Sequence, residues 1–231
     1  MQASVKLRFR GFNEPFEGAI PYMYLDIKGL VTVGVGNLVD PVSEAKSLPF
    51  QWKNNPSLAK HGQMAAPDEI DEEWQRLKKD TSLAKKGHLA CEKITNLELT
   101  NAAVDDLIAT RLTQNETFLK KQLAFKDFDA WPADAQMGLL SMAWAMGPGG
   151  PVKFMMFCAA CKDQTFDGAA DNCKMNETGN PGIIPRNQAN KQLFKNAAAV
   201  IAGEAGGVYQ RAILYYPKVL VKPVVVTPSG S

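Results

Sequence analysis

The sequence predicts an α+β, mostly helical fold, with a small β-hairpin near the N-terminus and a larger helical part after it. Three observations carry this. Residues 23–35 alternate like two short strands around a tight turn at Ile27-Lys28-Gly29. Residues 67–79, 99–112 and 130–146 place apolar side chains at helical spacing. At 231 residues, 45% hydrophobic and 22% charged, the chain can bury a large core in one large domain or two small lobes.

Residues 1–16 read as an entry segment with a helix from near Val5, interrupted by Gly11 and Pro15. Glu17-Gly18 follows. Met23-Tyr24-Leu25 forms the first strand and Leu30 to Val35 the second. Val31, Val33 and Val35 share one face and need a core; Leu30, Thr32 and Gly34 share the other. The Thr32 face, with glycine beside it, suits a groove where a ligand approaches the backbone. Asp26 ends the first strand and can face Thr32 across the turn. One carboxyl before a hairpin, one on it, and a hydroxyl beside them is a constellation fitted to glycoside hydrolysis. That reaction needs one protonated carboxyl to donate to the leaving oxygen and one ionised carboxyl to activate water. Glu14 is the competing acid, but its Asn-Glu-Pro context reads as a turn or helix-end carboxylate.

Residues 40–67 are irregular and rich in Pro, Asn and Lys. Val42 to Ser47 reads as a helical turn and Leu48 to Trp52 as extended. Trp52 is a sugar-stacking platform or a core anchor, and its apolar bulk favours the core. Pro67 to Lys79 reads as a helix, acidic at its start and basic at its end. Residues 82–90 are mixed, and His88 reads as a surface residue. Thr100 is a natural N-cap for a helix with Val104, Leu107, Ile108 and Leu112 on one stripe, extending toward Leu123. Trp131-Pro132-Ala133-Asp134 opens the next helix. Ala135 to Met146 is apolar nearly all round and should be buried, and Gly147-Pro148-Gly149-Gly150 stops it. Phe154 to Lys162 and Phe166 to Asn172 are further helices. Residues 176–185 read as a loop, and a helix starts at Arg186. After Ala205, β-branched runs broken by Pro217 and Pro223 read as an extended tail packed on the body, and the terminal PSGS as a linker or appended sequence.

A net charge of +2 makes no electrostatic case for nucleic acid. No apolar run is long enough for a transmembrane helix. MQASVKLRFRGF lacks an apolar signal core, so no cleavable export signal is read. Cys158-x-x-Cys161, with Cys91 and Cys173, could be a redox pair or half a metal site. Small core residues on one helical face are the simpler reading, and no metal and no cofactor is expected.

Glu17 and Asp26 are nine residues apart and Asp26 and Thr32 six, and Gly34-Val35-Gly36-Asn37 follows. In type, order and spacing together this resembles the phage-type lysozymes, including those of the T-even bacteriophages. These carry Glu-Gly, Asp and Thr on a helix end and hairpin, then Gly-hydrophobic-Gly and His or Asn. The buried helix ending in Met146-Gly147 also resembles the family. Family members commonly have Arg-Arg in a later helix, one of them approaching the catalytic Glu; Arg186 matches one position and Asn187 departs at the other. The likeness covers residues 12–40 strongly and 97–198 by helix order. The segment 41–96 is longer than in the compact phage enzymes.

The resemblance implies a lysozyme-like fold, its hairpin lobe and helical lobe joined by a long helix. The expected divisions are 1–96 with the catalytic hairpin and an insertion, 97–204 with the helical lobe and linking helix, and 205–231 as the tail. It implies a muramidase acting on β-1,4 bonds between N-acetylmuramic acid and N-acetylglucosamine. Glu17 would be the general acid, Asp26 and Thr32 would position water, and Gly36, Asn37, Trp144 and Arg186 would contact substrate, although packing is the simpler role for Trp144. The expected partner is the glycan strand of peptidoglycan, with an immunity protein or secretion machinery if the chain is an antibacterial effector. Neither nucleic acid binding nor membrane insertion is expected. The protein would be made in the cytoplasm and act on the cell wall of a target bacterium, by phage release or secretion. A lytic transglycosylase and a non-catalytic glycan-binding module are the alternatives.

Overall fold

A computed structural model describes residues 1–223 and confirms an α+β, mostly helical protein. The chain divides into two compact units, residues 13–110 and residues 1–12 with 111–231, of which the model describes residues to 223.

The first helix, α1 (Ala3–Glu17), runs through both breakers expected to interrupt it. Pro15 lies in the last turn, two residues before the helix ends, and removes one N–H from its ladder. Val5 and Phe9, one turn apart, are fully buried. Gly18, at φ +72°, ends the helix, and its N–H donates to the Glu14 carbonyl at 2.8 Å. This accounts for the Glu-Gly pair: the glycine turns the chain out of the helix and into the sheet.

In the 13–110 unit, β1 (Ile20–Leu25), β2 (Val31–Gly34) and β3 (Asn37–Leu38) form an antiparallel sheet in that order. Tyr24 pairs with Thr32 and Leu25 with Val31, and the register shifts between Ile20 and Tyr24. Val31, Val33 and Val35 are fully buried, as their alternation predicts. The opposite face of β2 is covered as well, with Thr32 only 5% exposed. After α2 (Val42–Lys46), β4 (Phe50–Trp52) pairs with β5 (Leu97–Leu99). Between them lie α3 (Pro67–Lys79), α4 (Leu83–Lys86) and α5 (His88–Glu92). The α3 limits match those expected from sequence, and Ile70, Trp74 and Leu77 form its buried stripe. Buried Glu73 accepts the N–H groups of Asn96 (2.6 Å) and Leu97 (3.0 Å), anchoring β5 to this helix. Trp52 is half-buried rather than a core anchor, its Nε1 donating to Glu69 at 3.1 Å.

The helix α6 (Asn101–Lys120) is capped as expected, with Thr100 Oγ1 accepting the Ala103 N–H at 3.1 Å. It ends at Lys120 rather than near Leu123.

In the other unit, α7 (Ala133–Met146) is buried from Ala133 through Trp144, and Gly147 at φ +77° stops it. It is followed by α8 (Met155–Lys162), α9 (Phe166–Asn172) and α10 (Ile183–Glu204). The last begins three residues before Arg186, because Pro185 falls in a first turn that needs no N–H from it. Gly138 lets α10 approach α7: a Cβ there would lie 2.9 Å from the Phe194 ring. Gly138→Ala is therefore expected to cost about 1–3 kcal/mol by overpacking, read as a lowered midpoint in urea unfolding. An unchanged midpoint would show that Phe194 can move aside.

The tail packs on this unit up to the last described residue, as expected; the PSGS reading and the rest of the tail lie outside the described residues. Buried Asp134 accepts the N–H groups of Tyr215 (2.9 Å) and Tyr216 (3.0 Å) and the Asn196 amide (2.9 Å). Asn196 in turn accepts the Leu220 N–H at 3.0 Å and donates to the Lys218 carbonyl at 2.8 Å.

All four cysteines are free. Cys91, Cys161 and Cys173 are buried, and burial pushes their thiols upward, Cys173 to about 11. Such thiols are poor nucleophiles, which suits core residues. Among the described residues no group of three or more His, Cys, Asp or Glu is arranged to hold a metal, and no helix is long and apolar enough to cross a membrane.

Candidate functional site

The site is built by the end of α1 and the β1–β2 hairpin. Glu17 is the last residue of α1 and half-buried, whereas Glu14 is exposed. Asp26 follows β1 and organises the turn. Its Oδ1 accepts the N–H of Lys28 at 2.8 Å and of Leu30 at 2.9 Å. Its own N–H donates to the Leu30 carbonyl, and its carbonyl accepts the Gly29 N–H, both at 2.9 Å. The side chain is thus fixed by the turn it nucleates. The two side-chain bonds use one oxygen, so the same carboxylate can act through Oδ2.

Thr32 stands opposite Tyr24 in the sheet, and its hydroxyl donates to the Leu30 carbonyl at 3.3 Å. Burial, and then the charges of Glu17 and Asp26, push the Tyr24 phenol up to about 12. By residue type alone Tyr24 gives no functional signal. The available signal was its position two residues before Asp26, on the same side of an alternating strand.

Gly34 adopts φ +67°, and a Cβ there would meet Asn37 Oδ1 at 3.4 Å and the α6 side chains of Val104 and Leu107 at 3.9 Å. Asn37 is half-buried beside β2, and its Oδ1 finds no hydrogen-bond donor among the described residues. Gly36, at φ +78°, makes the bend that brings Asn37 back against Val33.

The other expected contact residues lie in the other unit. Trp144 is 2% exposed; its ring packs 5.0 Å from Phe9 and lies under the Arg111 guanidinium at 4.2 Å. Within this unit its role is packing. Arg186 is 1% exposed. Its Nη1 donates to the Ser141 carbonyl at 3.2 Å. Asn187 is also buried, bridging the backbone of Met175 in both directions.

His88 is exposed, as expected, but has partners. Its Nδ1 is 2.9 Å from the Tyr22 hydroxyl, and its ring contacts both Tyr22 and Tyr24 at centroid distances of 6.3 Å.

A second carboxylate supports the far side of the hairpin. Asp40 Oδ2 accepts the Val31 N–H at 3.2 Å and the Lys78 ammonium at 2.8 Å. Burial alone would raise its pKa, but Lys78 and the Val31 N–H outweigh burial and hold it below its ordinary value. A lowered folded value means that this stabilisation is present above the ordinary carboxylate range and is lost as pH falls through the folded value. Native-state hydrogen exchange, corrected for intrinsic rates, should show Val31 protection declining as the solution is acidified below that range. Protection independent of pH there would contradict this linkage.

In comparisons with known proteins, no family model matches the chain and no curated protein matches it. The likeness to phage-type lysozymes therefore rests on the spacing and placement of Glu17, Asp26 and Thr32, the Gly-x-Gly-Asn segment, and the later helix order.

Proposed function

We propose that the protein is a glycoside hydrolase of the muramidase type, cutting β-1,4 bonds between N-acetylmuramic acid and N-acetylglucosamine in bacterial peptidoglycan. The observation that supports this reading is the placement of Glu17 at the end of α1, Asp26 in the β1–β2 turn that its own side chain holds, and Thr32 on β2. All three residues belong to the 13–110 unit.

In this reading Glu17 donates its proton to the glycosidic oxygen as the bond to the anomeric carbon breaks. Its place at a helix end leaves the carboxyl half-exposed, where it can meet substrate. The Asp26 carboxylate takes a proton from water as that water attacks the anomeric carbon from the opposite face. Holding Oδ1 in the turn keeps the carboxylate oriented without rearrangement during the reaction. Thr32, through its hydroxyl, helps place the water. The reaction uses one water and leaves a free reducing end on one product and a hydroxyl on the other.

The target would be the cell wall of a bacterium, reached by phage-mediated release or by secretion. An immunity protein would be a partner only in the secreted case. Digestion of purified peptidoglycan, followed by mass spectrometry, tests the reaction. Reducing-end muropeptides are expected. Muropeptides ending in 1,6-anhydro sugar would indicate a transglycosylase, and binding without fragments would indicate a glycan-binding module.

A further inference from the structure

The segment between β2 and β5 is not part of the hairpin, yet one of its side chains reaches the turn that holds Asp26. Lys78, near the end of α3, donates from Nζ to the Gly29 carbonyl at 3.0 Å and to Asp40 Oδ2 at 2.8 Å. Gly29 is inside the turn: its N–H binds the Asp26 carbonyl, and Asp26 Oδ1 holds the N–H groups on either side of it. Asp40 binds the Val31 N–H, immediately before Thr32. One ammonium therefore ties the Asp26 turn to the strand that carries Thr32.

The ammonium is itself held in place. It lies 5.3 Å from the centre of the Trp74 ring, one helical turn earlier on α3. Trp74 Nε1 donates to the Val39 carbonyl at 3.0 Å, so α3 is attached to the chain following the hairpin by a second bond. The Lys78 side chain is 31% exposed and the Asp40 side chain 16%. An ion pair this exposed adds little to global stability. Its effect lies in where it acts: the Gly29 carbonyl shares a peptide with the Leu30 N–H that Asp26 Oδ1 accepts, so ammonium and carboxylate hold that one peptide from its two ends.

We propose that Lys78 is a positioning residue for Asp26 and Thr32, and that the 41–96 segment contributes α3 to lock the hairpin in its reactive geometry. For catalysis this rests on the muramidase reading; the mechanical part does not. Without the ammonium, the Gly29 peptide and the amides on Asp26 Oδ1 sample other orientations, and the carboxylate loses its aim at the water.

The test uses the full chain and two readouts. Lys78→Met keeps the aliphatic stem over Trp74 and removes the donor. Expected are a melting temperature close to that of the wild type, a kcat on peptidoglycan lowered about 10- to 100-fold as for a misplaced catalytic group, and a KM within about twofold. Rates are referred to folded protein, so mere instability would not produce this split. In native-state hydrogen exchange, the Lys28 and Leu30 amides should lose protection while the β4–β5 amides keep theirs. Unchanged protection of the turn amides, or an unchanged kcat, would overturn the proposal.

If the variant does not fold, exchange in the wild type decides. Clamped turn amides should open only with the α3 amides, and independent opening would overturn the clamp. A wild type that releases no fragments would reject the muramidase reading, while the exchange experiment would still test the clamp.

Discussion

Glu17→Gln should abolish peptidoglycan cleavage while leaving the protein folded. The substitution is nearly isosteric, and the side chain projects from the half-buried last residue of α1 rather than from the core. An amide cannot supply the proton that the leaving oxygen needs. General acid catalysis alone is worth about 10²–10⁴-fold, and that sets the minimum loss. Circular dichroism and urea unfolding should match the wild type. Substantial activity in the folded variant would transfer the acid role elsewhere, with Glu14 the first residue to test despite its exposure. Asp26→Asn is the companion. An Asn oxygen can still accept the Lys28 and Leu30 N–H groups, so the turn should survive while the charge is removed. Loss of activity would then report the charge rather than the turn.

The largest expected effect on stability lies away from the hairpin. Asp134→Ala removes the acceptor for two tail N–H groups and the Asn196 amide, all around a fully buried carboxyl. Leaving several buried donors unpaired should cost about 3 kcal/mol or more. The cost should be local as well as global. Asn196 would lose an anchor and, with it, its hold on Lys218 and Leu220. Urea unfolding gives the magnitude, and limited proteolysis should show faster cleavage within residues 208–220. A loss below about 1 kcal/mol, with an unchanged cleavage pattern, would mean that water or a repositioned side chain replaces the carboxyl.

What could be read from the sequence was mostly local. The limits of α3 follow from Pro67, its acidic first turn and the lysines at its end. The α6 start follows from Thr100, and the hairpin from alternation around Gly29. The errors at breakers have physical causes. Gly11 costs a helix interior only about 1 kcal/mol, and only two residues of α1 follow Pro15. Likewise Pro185 belongs to a helix because it falls in the first turn.

For the site, interval matching selects Glu17, Asp26 and Thr32, and the hairpin pairs Tyr24 with Thr32. Long-range partners were not legible. Lys78 and Gly29 are 49 residues apart, and Asp134 and Tyr215 are 81. Nothing in the Lys78-Lys79 pair distinguishes a clamp from a basic helix end. Arg186 gave no sign of burial, because a helix-start arginine is usually solvated. For Trp144 packing was already the simpler role, and Phe9 and Arg111 pack around it within its unit.

The central claim is that Glu17 and Asp26 act from opposite faces of one sugar ring, as acid and water-activating base. It is tested most directly by proton NMR of the first reducing ends released from a soluble β-linked peptidoglycan oligosaccharide, recorded before mutarotation. Attack by water on the face opposite the leaving group predicts the α-anomer as the initial product. An initial β-anomer, or fragments with no reducing end, would contradict the assignment of Asp26.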